Sequence, residues 1–194
     1  MDVLQWTAAL AGAVSVYLSA RENIWSWPTA ILNVGLYIIV FRRTGLYSDM
    51  GLQVVYLVLS IYGWYEWLYG GANRSKLTVS RARTRDWMLS LPIALIFWIV
   101  LARFTARIPG VSFPYLDSGL TTISLVAQWM MTRKIIENWV LWILVDVVYV
   151  PMYVVKGLGP TAALYGVFLV LAVIGLRAWW RSYRGHPVGE PAAV

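Results

Sequence analysis

Apolar residues fall along the chain in seven blocks, each about the 17 to 25 residues that a bilayer-spanning helix needs, near residues 3 to 20, 24 to 41, 46 to 69, 87 to 106, 114 to 132, 135 to 155 and 158 to 180. The breaks between blocks carry ordinary start and stop signals. Pro28 and Pro160 lie near first-turn positions, "YGGANRSK" ends the third block, and "RIPGVSFP" separates the fourth from the fifth. The pattern predicts an all-α membrane protein with seven transmembrane helices. The first block starts almost at Met1 without a basic flank and runs into "RENIWSWP" instead of a small-residue cleavage site, so it reads as the first span and not as a removable signal.

Composition agrees and removes several functions. The chain is 60% hydrophobic and 13% charged, against roughly 45–50% apolar and about 25% charged in ordinary globular domains. Cysteine is absent and the single histidine, His186, lies in the polar tail, so no metal site and no thiolate chemistry are expected. No GxxxxGK[ST] phosphate loop is present, and no other cofactor is implied. The net charge of +7 collects beside the apolar blocks and not in a stripe on an exposed fold, which argues for juxtamembrane charge and against a nucleic-acid partner.

Those basic residues orient the chain, because Lys and Arg near span ends are retained on the cytoplasmic side. With seven spans, one face collects eleven (Arg21, Arg74, Lys76, Arg81, Arg83, Arg85, Arg133, Lys134, Arg177, Arg181 and Arg184) and the other five (Arg42, Arg43, Arg103, Arg107 and Lys156). The N-terminus is therefore expected outside and the C-terminus inside. Glu66 and Glu137 then read as inner-interface residues within reach of Arg133 or Lys134.

Residues 21 to 67 laid ungapped on 133 to 179, a shift of 112, match at twelve of 47 positions, among them Arg21/Arg133, Trp27/Trp139, Tyr37/Tyr149, Gly45/Gly157, Gly63/Gly175 and Trp67/Trp179. Two three-span repeats separated by one linker span point the same way through the membrane. Such a 3+1+3 arrangement of parallel repeats is a transporter architecture with its site near the midplane. It divides the chain into a first repeat (1–69), a basic cytoplasmic loop with the linker helix (70–112), a second repeat (113–180) and a cytoplasmic tail (181–194).

The stretch "ENWVLWILVDVVYV" places Trp139, Trp142, Asp146 and Tyr149 on one helical face. A central Asp costs roughly 2.5 to 3.5 kcal/mol on insertion scales, so Asp146 is a functional candidate by default. Trp139 and Trp142 can stack on a flat ring, with a cation–π gain of roughly 0.5 to 2 kcal/mol if the ring is charged. Asn33, Gln53 and Gln128 are uncharged donors and acceptors inside spans two, three and five, suited to hydroxyl or carboxamide groups or to bonding between helices. Tyr56 shares a stripe with Gln53, and Tyr165 occupies the repeat position of Gln53. Trp25, Trp27 and Asn138 read as belt or gate residues at the inner ends of spans two and six.

The motifs "MTRKIIENWVLW", "ILNVGLY", "LYSD" and "LQVVYLVLSIYGWYEW" resemble the PnuC family of bacterial vitamin transporters. The resemblance covers spans one to three and five to seven. It implies a SWEET-like fold, a homotrimer in the bacterial inner membrane, and facilitated inward transport of nicotinamide riboside for NAD synthesis, without ATP or a coupling ion. Relatives in the family take thiamine, riboflavin or deoxynucleosides. Uptake of this kind gains its direction from a cytoplasmic kinase that phosphorylates the product. In one departure, Asp146 stands near a position where nicotinamide riboside transporters of the family tend to carry asparagine; a carboxylate there favours a cationic ring, which both nicotinamide riboside and thiamine possess. A seven-helix receptor is the alternative of a different class, but a retinal receptor needs a lysine in the last span, and the lysines are Lys76, Lys134 and Lys156. An enzyme is not expected, since no nucleophile–base pair or metal cluster is present.

Overall fold

The computed structural model describes residues 3–108, 113–155 and 157–185. Lys156 and the tail beyond Gly185, including His186, lie outside the described residues. Seven long helices follow one another in these segments: α1 (Val3–Ala20), α2 (Ser26–Thr44), α3 (Tyr47–Tyr69), α4 (Thr84–Thr105), α5 (Pro114–Thr132), α6 (Glu137–Val155) and α7 (Gly159–Gly185). They coincide with the seven apolar blocks, and α1 and α5 have the expected bounds. By length and composition α1, α4, α6 and α7 qualify as membrane spans. The other three are 19 to 23 residues long and carry more polar residues, among them Asn33, Gln53 and Gln128.

Consecutive helices pack as neighbours within α1–α3 and within α5–α7, and the two groups meet where α1 packs on α7 and α3 on α5. Helix α4 packs on α5, and Ala102 is its one buried position among the described residues. The ends of α1, α3, α5 and α7 and the starts of α2 and α6 gather at one end of the bundle, with Arg21, Arg81, Arg133 and Lys134; this is the basic end.

Positions 112 residues apart adopt matching geometry there. The indole of Trp27 seats on Gly63 and that of Trp139 on Gly175. Trp67 Nε1 donates to the Met131 carbonyl at 3.0 Å, and Trp179 Nε1 donates to the Ser19 carbonyl at 2.9 Å. Ser19 and Met131 lie in the last turns of α1 and α5, where their carbonyls accept the turn bonds of Glu22 and Lys134 N–H, and each indole adds a second donor from the other group of helices. The four rings form one chain, with centroids 5.3 Å apart for Trp27–Trp67, 5.8 Å for Trp67–Trp179 and 5.5 Å for Trp179–Trp139. At the far end, α2 and α6 stop at Gly45 and Gly157 with φ of 73° and 72°. In both turns the next residue's N–H bonds five residues back (Leu46 to Phe41, Leu158 to Tyr153), the glycine-terminated helix stop.

The basic loop after α3 is ordered against the bundle. Leu77 N–H donates to the Trp67 carbonyl, Ser80 N–H donates to the Lys134 carbonyl, and the Ser80 carbonyl accepts from Ile136 N–H. Glu137 accepts from Arg81 Nε at 3.2 Å and from the Ala82 N–H at 2.9 Å. The expected partnering of Glu137 with Arg133 or Lys134 is thus corrected. The loop brings its own cation, and Lys134 pairs instead with Glu22 at 3.0 Å.

The glycine seats generate a stability prediction. A Cβ on Gly63 would lie 2.2 Å from the Trp27 ring, and one on Gly175 would lie 2.6 Å from the Trp139 ring. Gly63→Ala and Gly175→Ala should each destabilise the protein by about 1 to 3 kcal/mol, the usual penalty of overpacking. Melting curves of the detergent-solubilised variants check this; melting at the parental temperature would show that the indoles move aside freely.

Candidate functional site

A cavity of about 470 Å3 runs lengthwise between α1, α2, α6 and α7, with single contributions from α3 and two from α5. That volume lies within the range of small-molecule sites. Helical spacing aligns its walls. Ala9, Gly12, Val16 and Ser19 form a stripe of mostly small residues on α1; Ala30, Asn33, Tyr37 and Phe41 do the same on α2; Trp139, Trp142, Asp146 and Tyr153 line it from α6. Trp27, Met131, Trp139 and Ala172 lie at its basic end, directly above the Trp67–Trp179 pair. Phe41, Pro160 and Thr161 lie at the other.

The residues singled out in the sequence divide into two groups. Asn33, Gln53, Gln128, Trp139, Trp142, Asp146, Tyr165 and Trp27 line the cavity. Tyr56, Tyr149, Asn138 and Trp25 are not among its lining. Tyr149 instead stacks on Tyr153 at 5.5 Å and packs on Tyr165 at 5.0 Å, bracing the wall from behind. Asn138 is fully buried, and its amide donates to the Ile135 carbonyl at the start of α6. Trp25 is 66% exposed at the head of α2, the position of an interfacial belt residue. Asn33 lines the cavity, yet its Nδ2 is committed to the Ala8 carbonyl at 2.7 Å, tying α2 to α1 and leaving its oxygen to face a ligand.

Other lining residues were not singled out: Trp6, Ser15, Tyr37, Phe41, Tyr153, Thr161 and Phe168. The signal for two of them lay in the 112-residue shift. Tyr37 stacks on Phe41 at 5.6 Å and 21°, and Tyr149 on Tyr153 at 5.5 Å and 21°, one pair on each side of the far end.

The chemistry centres on Asp146. Its side chain lies midway along α6, the residue is 3% exposed, and among the described residues no protein donor or cation partners its carboxylate. A buried charge without a protein partner is costly, which marks Asp146 as the candidate contact for a cation or a hydroxyl pair. Trp142 stands one turn away on the same face as a stacking surface. Gln53 and Gln128 offer amides from α3 and α5. Among the described residues no three His, Asp or Glu side chains group to hold a metal. The arrangement can bind and release a small, flat, polar or cationic molecule.

Comparison with known proteins bears on this site. The family model described as nicotinamide mononucleotide transporter matches residues 2–181. The chain is 27% identical over 209 aligned residues to the nicotinamide riboside transporter PnuC of Escherichia coli (strain K12), covering 93% of this chain and 87% of that one. It is 29% identical over 188 residues to the riboflavin/roseoflavin transporter RibM of Streptomyces davaonensis, covering 94% and 88%. A crystal structure of the vitamin B3 transporter PnuC shares the fold, with a TM-score of 0.73 at 24% identity over 94% of this chain and 83% of that one.

An unpartnered buried carboxylate held for a ligand should weaken the empty protein. Asp146→Leu, which keeps the branch at Cγ and has the cavity beside it for its larger volume, should raise the melting temperature by about 2 to 4 °C for each kcal/mol recovered, and the same variant should lose the stabilisation that a bound ligand gives. A melting temperature that falls would mean that Asp146 serves the packing of α6.

Proposed function

The chain belongs to the PnuC family, whose members are multi-pass membrane transporters and not enzymes, and from that membership we propose that it mediates facilitated uptake of nicotinamide riboside across the bacterial inner membrane. The observation that carries the substrate class is the free carboxylate of Asp146 beside the Trp142 ring inside the cavity. A pyridinium ring stacked on the indole would bring its positive charge to the acid, and the ribose hydroxyls would find amides at Gln53 and Gln128 and the oxygen of Asn33. Riboflavin is the second reading, favoured by the similarity to the riboflavin/roseoflavin transporter. It is uncharged, so it leaves Asp146 with hydroxyl recognition alone.

The architecture proposed for this task is seven spans in two parallel three-helix repeats about the linker α4. Its support is the matching of Trp27/Trp139 on Gly63/Gly175, the exchanged indole bonds of Trp67 and Trp179, and the paired glycine stops at Gly45 and Gly157. Within it the domain limits are 1–69, 70–112, 113–180 and 181–194. The basic end faces the cytoplasm, from the eleven-to-five distribution of Lys and Arg. The homotrimer implied by the resemblance belongs to the same proposal. A carrier without an energising module equilibrates its substrate, so net uptake relies on a cytoplasmic kinase whose product is too charged to return.

Two measurements test this reading. In proteoliposomes, labelled nicotinamide riboside should equilibrate down its own gradient; accumulation driven by an imposed proton or sodium gradient would overturn the uniport. In isothermal titration, Asp146→Asn should weaken a cationic ligand by about 1 to 3 kcal/mol, the worth of a charge-assisted hydrogen bond, and leave riboflavin nearly unchanged, whereas Trp142→Ala should weaken both. Parental affinity in both variants would place the binding site elsewhere.

A further inference from the structure

Lys134 Nζ lies 3.0 Å from Glu22 Oε2 and 4.6 Å from the centre of the Trp67 ring. Residues 22 and 134 are 112 apart, the same spacing that relates Trp67 to Trp179 and Ser19 to Met131. The ion pair therefore joins a position to its own counterpart in the other half. At such a self-contact two identical residues would repel if both were acidic or both basic. Here the halves differ, and the contact is attractive. Both residues also sit in the left-handed region, at φ of 54° and 49°. Each occupies the helix-stop position after α1 or α5, where its N–H bonds to the Ser19 or Met131 carbonyl and the next N–H bonds to that of Leu18 or Met130. Glycine is the usual occupant of that position. The far-end stops use Gly45 and Gly157, so the two charged side chains are placed here against backbone preference.

From the contact, its position on the axis between the halves, and its place below the closed floor of the cavity, we propose that the Glu22–Lys134 pair is the latch of a cytoplasmic gate: while it stands the two halves are held together at the basic end, and it must part for the cavity to open inward. The Trp67–Met131 and Trp179–Ser19 bonds flank it on either side. The Ser80 bridge to Lys134 and Ile136 ties the loop to the same segment. The assignment to the cytoplasmic face rests on the orientation proposed above, and the test separates the two.

The chain has no cysteine, so Ala30→Cys, on the cavity wall, gives a single reporter for a charged, membrane-impermeant thiol reagent applied to inside-out or right-side-out vesicles. Glu22→Lys and, separately, Lys134→Glu place like charges at the contact. Either should accelerate labelling from the cytoplasmic side by about tenfold, a population shift of the size that one partly buried ion pair can set. The reversal Glu22→Lys/Lys134→Glu restores attraction and sets the cation against Trp179, which stands to position 22 as Trp67 stands to Lys134; its labelling should return to within about twofold of the parent. Melting curves on the same samples identify any variant that is misfolded, and Glu22→Gln, which only neutralises the pair, should label at an intermediate rate. Parental labelling in folded single variants, or a reversal that labels as fast as the single variants, overturns the latch. Acceleration confined to the outer face upholds the latch and overturns the orientation.

Discussion

Two helix-end carbonyls, those of Ser19 and Met131, set the terms for the basic end of this bundle. A helix's last carbonyls have no donor in a following turn; these two keep the tight turn bonds from Glu22 and Lys134 N–H and a second lone pair that lipid cannot satisfy. Here each takes a hydrogen bond from an indole of the opposite half, Trp179 or Trp67. The same rings that satisfy the carbonyls then touch Trp139 and Trp27 edge-on, and those in turn fit only because Gly175 and Gly63 carry no side chain. The floor of the cavity is the upper surface of this assembly. Shifting one half against the other breaks both carbonyl bonds together, so the closed end behaves as a unit.

The parts of the fold that could be read from the sequence are those in which the bilayer acts on composition. Block length predicted all seven helices, because apolar length and helix length are the same constraint. Arg21, Trp27, Gly45, Gly63 and Trp67 with their partners 112 residues on were legible as a pattern, since these residue types are costly to place by chance. The Glu22–Lys134 contact could not be found by identity, because its chemistry requires the two positions to differ. The seating of loop residue Ser80 on either side of Ile135 is a backbone arrangement and left no residue signature. Intramembrane polarity singled out Asp146, Gln53 and Gln128, and all three line the cavity. Helical periodicity was poorer: it grouped Tyr56 and Tyr149 with a cavity that neither lines, and the Tyr149 ring packs behind its wall on Tyr153 and Tyr165.

Stability and function are divided unevenly over the cavity. Asn33 spends its amide on the Ala8 carbonyl and is part of the frame. Asp146 makes no such bond among the described residues, and burying its carboxyl without a protein partner costs stability. The aromatic pairs Tyr37–Phe41 and Tyr149–Tyr153 stand at the opposite end from the tryptophan chain. Aromatic pairs thus stand at both ends of the cavity, and the basic end adds the Glu22–Lys134 ion pair to them.

The difference between the two walls has a consequence for how a molecule lies in the cavity. Trp142 faces the interior where the position 112 residues earlier is Ala30, Gln128 where it is Val16, and Tyr165 where it is Gln53, while Asp146 answers to Val34. Between identical walls an asymmetric molecule would have two poses of equal energy, related by half a turn about the axis between the halves, with its faces exchanged between the two walls. Unequal walls remove that degeneracy. The chain keeps its likeness where the halves grip each other and its unlikeness where they line the cavity, so a molecule held there meets different groups on its two sides and takes one rotational setting about that axis.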